Sequence, residues 1–350
     1  MNCPIQKEER EDSDQPECSM IVRTDIEKRE YEYLSPFATK AAETKGRAKS
    51  EKQCDIRTDF QRDRDRIIHS KSFRRLMHKT QVFLAPERDH YRTRLTHTIE
   101  VAQIARTISR ALGLNEDLTE AIAMGHDLGH TPFGHSGEQV LSRLYSKGFR
   151  HNEQSLRVVD VLEFHGTERG MNLTAEVRDG ILNHTGPVMP FTPEGQVVKT
   201  SDRIAYINHD IDDAIRSGVI TEKDLPQDCV SILGDSHKRR IDTLVKDMIA
   251  NSEGSPVIHL SDEKLSAMNK LRAYMFENVY HNEKVKSAED MERIEETIGS
   301  LFRYYNDNPE LIIAEFPDLA EVCSVEELIK DHIAGMTDRY AENTYLNIME

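Results

Sequence analysis

From Asp59 onward, apolar residues recur mostly at the i, i+3, i+4 spacing of helices buried along one face. In "RTRLTHTIEVAQIARTISRALG", Leu95, Ile99, Ala102 and Ile108 form one stripe and Val101, Ile104 and Ile108 an overlapping one, and Gly113 is placed to end the helix. "NEDLTEAIAMGHDLG" predicts the next helix, started by Asn115 and the acids beside it and broken by Gly129 and Pro132. "NEQSLRVVDVLEF", "TAEVRDGILNH" and "SDRIAYINHDIDDAIRSG" repeat the style, and the last roughly ninety residues read as three or four amphipathic helices. Gly166–Met171 and the Thr185–Val198 stretch, "TGPVMPFTPEGQVV", read as irregular or hairpin-like, and "YLSPFATKAAETKGRAKSEKQC" as loop and short helix. No internal repeat or heptad array interrupts this pattern. The expected class is all-α.

Composition narrows the function. At 350 residues, with 37% hydrophobic and 31% charged positions, the chain reads as soluble and globular, with enough length for a sizeable core. No apolar run approaches the roughly 20 residues of a membrane span. "MNCPIQKEEREDSDQPECSM" has no apolar h-region, so no secretory signal is expected, and residues 1–24 are expected to form a disordered acidic tail. The five cysteines are scattered and lack a CxxC pair, which suits a reducing cytoplasm and argues against a thiolate zinc site. A net charge of −16 disfavours a nucleic-acid-coating protein but leaves room for a local basic pocket. Arg57–Lys79 holds eight Lys/Arg against three Asp. The alternating "RDRDR" suits a self-paired helix, and "FRRLMHKTQ" is the part better placed to face a phosphate-binding pocket.

Candidate chemistry concentrates in "AIAMGHDLGHTPFGHSGEQV". His126 and Asp127 are adjacent near a helix C-terminus, and His130 falls one turn later on the same face. Neighbouring nitrogen and carboxylate donors suit a first-row divalent metal. His97 supplies a third donor, because Val101, Ile104 and Ile108 follow it on one helix face and turn it inward. Asp202 supplies a fourth, at the start of "SDRIAYINHD" and ahead of Ile204, Ile207 and Ile211; a buried acid there needs a partner, although a helix cap is the other reading of the residue. Arg94 shares a face with His97, which sets a guanidinium where phosphate oxygens would lie. Asp202, Tyr206 and Asp210 step by i+4 in a line leading away from the metal.

The order His…His-Asp…Asp on helices resembles the HD-domain metal-dependent phosphohydrolases. The flanking "FQRDRDRIIHSKSFRRLMHKTQVF", "YRTRLTHTIEVAQIAR", "GHDLGHTPFGHSGE", "RHNEQSLRVVD", "GILNHTG" and "SDRIAYINHDIDDA" are similar to the bacterial deoxyguanosine triphosphate triphosphohydrolases and their dNTPase relatives, from about Tyr33 to the C-terminal "AGMTDRYA". The resemblance implies an HD-type helical fold with additional C-terminal helices: a single domain over residues 25–350, its metal-binding core at about 62–216 and a helical part at about 217–350. It implies release of intact inorganic triphosphate and a deoxynucleoside, with dGTP the first-choice substrate. It also implies a divalent metal (Mn, Fe, Mg, Co or Ni), a second Mg brought in with the nucleotide, a nucleotide effector and a homo-oligomer. By position, His97, His126, Asp127 and Asp202 match the metal ligands. His130, His135, Glu138 and His151 match the polar cluster of the reaction centre; some relatives have Asp where this chain has Glu138. Gln81, Arg94, Tyr206 and Asp210 match residues that contact sugar or phosphate.

Two rivals are weighed against this reading. A dinuclear HD phosphodiesterase or nucleotidase would use His151 and His184 for a second metal; "HTPFGHSGE" and the Tyr206/Asp210 line argue against it. A non-catalytic nucleotide-sensing module is disfavoured because every candidate ligand and acid is present.

Overall fold

The computed structural model describes residues 20–81, 92–280, 282, 285 and 287–350. The expected tail lies almost wholly outside the described residues, and by Arg23 the chain is helical. Helix α1 (Arg23–Tyr33) opens an N-terminal strap that lies against the helical body. Buried acids hold the strap. Glu30 accepts from Ala41 N at 2.6 Å and Asn115 Nδ2 at 3.1 Å. Glu194 accepts from Thr39 N at 3.0 Å, Thr39 Oγ1 at 2.8 Å and Asn115 N at 3.0 Å. Glu176 takes Lys45 N at 2.7 Å, and Asp63 takes Thr174 N at 2.8 Å together with the Arg47 guanidinium. A carboxylate removed from water needs such donors, and here each of the four acids has at least one main-chain N–H group.

The helical body begins where the apolar periodicity begins. Helix α2 (Asp59–Ile68) starts in a capping box between Thr58 and Gln61, and its basic residues pair with acids: Arg64 with Asp117 and Glu120 at 3.1 Å each, Arg66 with Glu51 at 2.7 Å. The short α3 (Lys71–Arg75) precedes α4 (Arg94–Ala111), which is capped by Thr93 and closed by Gly113 at φ +65°. Of the two stripes read on α4, the Val101, Ile104 and Ile108 one is buried, whereas Ile99 is 49% exposed. A helix packed through His97 and Val101 turns the residue between them outward.

Helix α5 (Glu116–Gly125) is capped by the Asn115 side chain and stops at Gly125, so His126–Gly129 are turns and His130 is not on its face as expected. The chain continues through α6 (Gly134–Leu144), α7 (His151–Arg157), an antiparallel hairpin of β1 (Phe164–His165) and β2 (Glu168–Arg169), and α8 (Ala175–Asn183). The alanines and glycine of α5 let α8 approach closely: a Cβ on Gly125 would stand 2.6 Å from Ile181 Cδ1, and one on Gly180 2.5 Å from Ile122 Cδ1. Helix α9 (Pro193–Arg216) begins earlier than expected, because Thr192 caps it and Pro193 takes its first position. Pro193–Val198 is therefore helical, and Asp202 lies mid-helix rather than at a cap.

Helices α10 (Gln227–Leu233), α11 (His237–Ser252) and α12 (Asp262–Met275) complete the core built on α4, α5, α8 and α9. Helices α13 (Ala288–Asp307), α14 (Pro309–Glu315), α15 (Val325–Gly335) and α16 (Asp338–Met349) pack with α6 around a second core that includes Leu141, Ile298, Leu301 and Ile333. Among the described residues, the C-terminal stretch from Asp262 thus holds five helices, because Asn308 and Pro309 divide α13 from α14. The two cores meet at the turn after α5. Lys79 Nζ donates there to His130 O at 2.5 Å and Ala334 O at 2.8 Å, and Asp338 accepts from Phe133 N at 2.8 Å and Thr80 N at 2.9 Å. Among the described residues no helix is long and apolar enough to cross a membrane.

Candidate active site

The turn after α5 is fixed by close packing rather than by helical bonds. Ser155 on α7 donates its hydroxyl to His126 O at 2.8 Å and accepts from Gly129 N at 2.9 Å. A Cβ on Gly129 would lie 2.2 Å from Ser155 N, so nothing larger than glycine fits. His126 Nδ1 donates to Ala123 O at 2.7 Å, which makes Nε2 the lone-pair nitrogen. That atom is buried and has no hydrogen-bond partner among the described residues. It lies 3.6 Å from Asp127 Oδ2 and 3.9 Å from Asp202 Oδ1, and Asp202 Oδ1 is 3.1 Å from His97 Nε2. Ligand atoms of His97, His126 and Asp127 lie within 4.8 Å of one another.

An orphaned imidazole lone pair facing carboxylates at these separations fits a divalent cation, whose ligands stand about 2.0–2.2 Å from the metal and so roughly 3–4 Å from each other. Burial pushes the Asp127 carboxyl up, but His126 and the Arg94 guanidinium outweigh it and hold the group well below the usual carboxylate range. Burial likewise opposes ionisation of Asp202, and its bond with His97 more than compensates. Both acids are held ionised, the form that binds metal. Arg94 is buried and donates Nη1 to Asp127 Oδ2 at 2.6 Å, with Nη2 reaching Thr80 O and Gln81 O at 3.4 Å.

The second cluster opens beside the first. Glu138 on α6 accepts from His135 Nδ1 at 3.0 Å through one oxygen and from His151 N and Nδ1 at 2.8 and 2.9 Å through the other. Burial raises the Glu138 pKa, but the two histidine bonds dominate and hold it far below its usual value. The His151 ring is pushed down by burial and pulled up further by Glu138, for a net rise. The His135 side chain is 60% exposed; desolvation by the surrounding chain lowers its pKa, and Glu138 opposes this in part. His130 is buried between them, stacked on His151 with ring centroids 4.8 Å apart, and neither of its ring nitrogens has a partner among the described residues. Desolvation and the nearby Arg94 charge keep it neutral, so it offers one N–H and one lone pair.

Of the residues expected to contact sugar or phosphate, Arg94 reaches the metal set, and the others are placed as follows. Asp202, Tyr206 and Asp210 do form a ladder on α9. Asp210, however, already accepts from Tyr280 Oη at 2.5 Å, and burial raises its pKa to about 7. Tyr206 is half-buried against the first core, and the Gln81 amide oxygen is buried without a partner among the described residues. Arg75 and Lys79 of "FRRLMHKTQ" do not face this cleft; they line a separate cavity on the far side of the turn.

Sequence reasoning missed Ser155, Tyr280 and His209. His209 stands seven positions after Asp202 on α9 and sets its ring edge against His97 at 6.1 Å, a spacing that was readable. Tyr280 and Ser155 reach the site through tertiary packing alone. His184 donates Nδ1 to Ile181 O at 2.7 Å and faces His151, Nε2 to Nε2, at 3.3 Å; burial lowers its pKa to about 3.

Residues 94–207 match the HD domain, and residues 258–347 match the phosphohydrolase-associated domain. The deoxyguanosinetriphosphate triphosphohydrolase-like protein of Caldanaerobacter subterraneus subsp. tengcongensis is 61% identical over 329 residues, covering 94% of this chain and 96% of the relative. The chain belongs to the deoxyguanosinetriphosphate triphosphohydrolase-like family. The family protein of Desulfatibacillum aliphaticivorans is 48% identical, covering 94% of this chain and 98% of its own. A crystal structure of a hypothetical protein from Aquifex aeolicus is 19% identical, covers 81% of this chain and 67% of that one, and superposes with a TM-score of 0.44. As a member of this family the chain is a metal-dependent phosphohydrolase with an HD domain.

Proposed function

We propose that the protein hydrolyses deoxynucleoside triphosphates, dGTP foremost, to the deoxynucleoside and inorganic triphosphate. One observation carries the reading: the exposed His135, braced by an ionised Glu138, stands beside the His97, His126, Asp127 and Asp202 donor set, where a departing 5′-oxygen needs a proton. His97, His126, Asp127 and Asp202 would hold the divalent cation, which when bound supplies Lewis-acid polarisation of a phosphoryl oxygen and acidifies water. Glu138 accepts from His135 Nδ1–H and stabilises the imidazolium, so that Nε2, once protonated, hands its proton to the departing 5′-oxygen. His130 contributes its free N–H to a phosphate oxygen, and Arg94 a guanidinium already aimed at the metal set. The α9 ladder supplies a ring face at Tyr206 and, beyond it, the Asp210–Tyr280 pair for the sugar. Names of the relatives point to the same substrate.

A second reading has its own support. Asp127, His151 and His184 form another donor group, as a dinuclear phosphodiesterase or nucleotidase would require. Anion-exchange analysis of the products from each dNTP separates the two. Inorganic triphosphate with deoxynucleoside is the expected result; deoxynucleoside monophosphate as first product, with two metals per chain, would establish the second reading instead.

A further inference from the structure

A cavity of about 490 Å³ lies between α3, the hairpin and the α14–α15 region, and Leu128 and Gly129 of the metal-bearing turn form part of its wall. Its charges are unevenly satisfied. Glu163 takes Ser72 N and Oγ at 2.6 Å each, Glu315 pairs with His332 at 2.7 Å, and Asp331 pairs with Arg157 at 2.7 Å and Lys330 at 2.5 Å. Arg169 pairs with Asp318 and lies 4.5 Å over the Phe164 ring. Lys71 and Arg75 are left: both are exposed, and among the described residues neither makes a hydrogen bond or a direct ion pair, although Arg75 is one of the charges that lower the Glu315 pKa. Arg75 is nonetheless placed, since its Nη1 would stand 3.3 Å from a Cβ on Gly335. Two unpartnered cations at the rim of a pocket whose own acids are all engaged make a receptor for an anion.

We propose that this cavity is a second ligand site, distinct from the metal cleft, which binds a small phosphate monoester. Two cations one turn apart on α3 match a phosphate dianion better than a single carboxylate, and the guanidinium fork takes two of its oxygens. Val158, Leu162 and Met336 offer an apolar wall for the ester's body, and the volume falls within the range of small-molecule sites. Occupancy is felt at the metal centre by short routes: Gly129 is two residues from Asp127, and Lys79, on the same wall, holds His130 O.

The binding test does not depend on the reaction proposed above. Phenyl phosphate, inorganic phosphate and benzoate are titrated calorimetrically into the metal-loaded full chain, its Lys71→Ala/Arg75→Ala and Arg75→Lys variants, a cavity-filling Met336→Trp variant, and His126→Ala. Phenyl phosphate should bind one to one, ahead of inorganic phosphate and benzoate. It should weaken at least about tenfold in the double variant and in Met336→Trp, less in Arg75→Lys, and persist in His126→Ala. The proposal is overturned by equal affinity in the wild type and a folded double variant, by binding lost only in His126→Ala, or by no binding up to millimolar concentrations.

Discussion

Glu194 and Asp127 are both buried carboxylates, yet they are satisfied in opposite ways. Glu194 on α9 is met, like Glu176 on α8 and Glu30 in the strap, by main-chain N–H groups and neutral side chains. Asp127, Asp202 and Glu138 are met by imidazoles and a guanidinium. The electrostatic result follows. Burial dominates where the strap meets the body, lifting Glu30 to about 7 and raising Glu194, whereas cationic surroundings dominate at the site and keep its acids ionised. Backbone donors make a fixed clasp; imidazole partners leave lone pairs and protons free for a metal and a substrate. Damage to the two sets should therefore read out differently.

The largest effect is expected at the metal set. His126→Ala or Asp127→Asn should strip the metal and with it nearly all turnover, while the helical fold survives; unchanged metal occupancy by elemental analysis in both would show that these are not ligands. His135→Ala should come next, losing about 10²–10⁴-fold in rate with metal content and melting temperature retained. A loss within about threefold would reduce His135 to a loop brace. Glu194→Ala should do the reverse, costing about 2–4 kcal/mol in denaturant unfolding by orphaning Thr39 N and Asn115 N, with normal turnover per folded molecule. An unchanged unfolding midpoint would deny the clasp its role.

The smallest effect is a pH slope. The folded Glu30 pKa, about 7, exceeds its unfolded value of 4.5, so between them the native state binds more protons and stability falls as pH rises. The contribution is roughly 2 kcal/mol once partial solvent screening is allowed for. Glu30→Gln should flatten that part of the unfolding profile between about pH 5 and pH 8; an identical slope in the variant would place its origin elsewhere.

Much of this was readable from local signals. Asn115 and Gly113 marked helix ends because capping and a left-handed closing residue are decided within a turn of chain. The inward placement of His97 was readable because apolar periodicity says which face is inside, and His126 and Asp127 stood out as an adjacent pair of donors. Misreadings arose where local composition admits two outcomes. "TPEGQVV" carries a breaker's residues, but Pro at the first helical position begins a helix as readily as it ends one. Ile99 was assigned to a buried stripe because periodicity alone does not choose between overlapping faces. Ser155, Tyr280 and the cavity beside Arg75 exist only after distant segments meet, so no short window contains them.

The reach of Lys79 and Asp338 across the turn bears on where the enzyme can be cut. Every proposed metal ligand lies between residues 94 and 207, and a gene fragment of that span would encode the whole donor set. It would lack the amino group that holds His130 O, the carboxylate that holds Phe133 N, and the helix that meets α6. Phe133 is held at φ +59°, a conformation costly for a side chain of its size, at the entry to the helix that carries His135 and Glu138. Without Asp338 that conformation has lost a tether, and the proposed proton donor, His135, would drift from its post. The minimal catalytic unit is therefore larger than the span of its ligands, and truncations from the C-terminus should silence the chemistry before they remove any atom that touches metal.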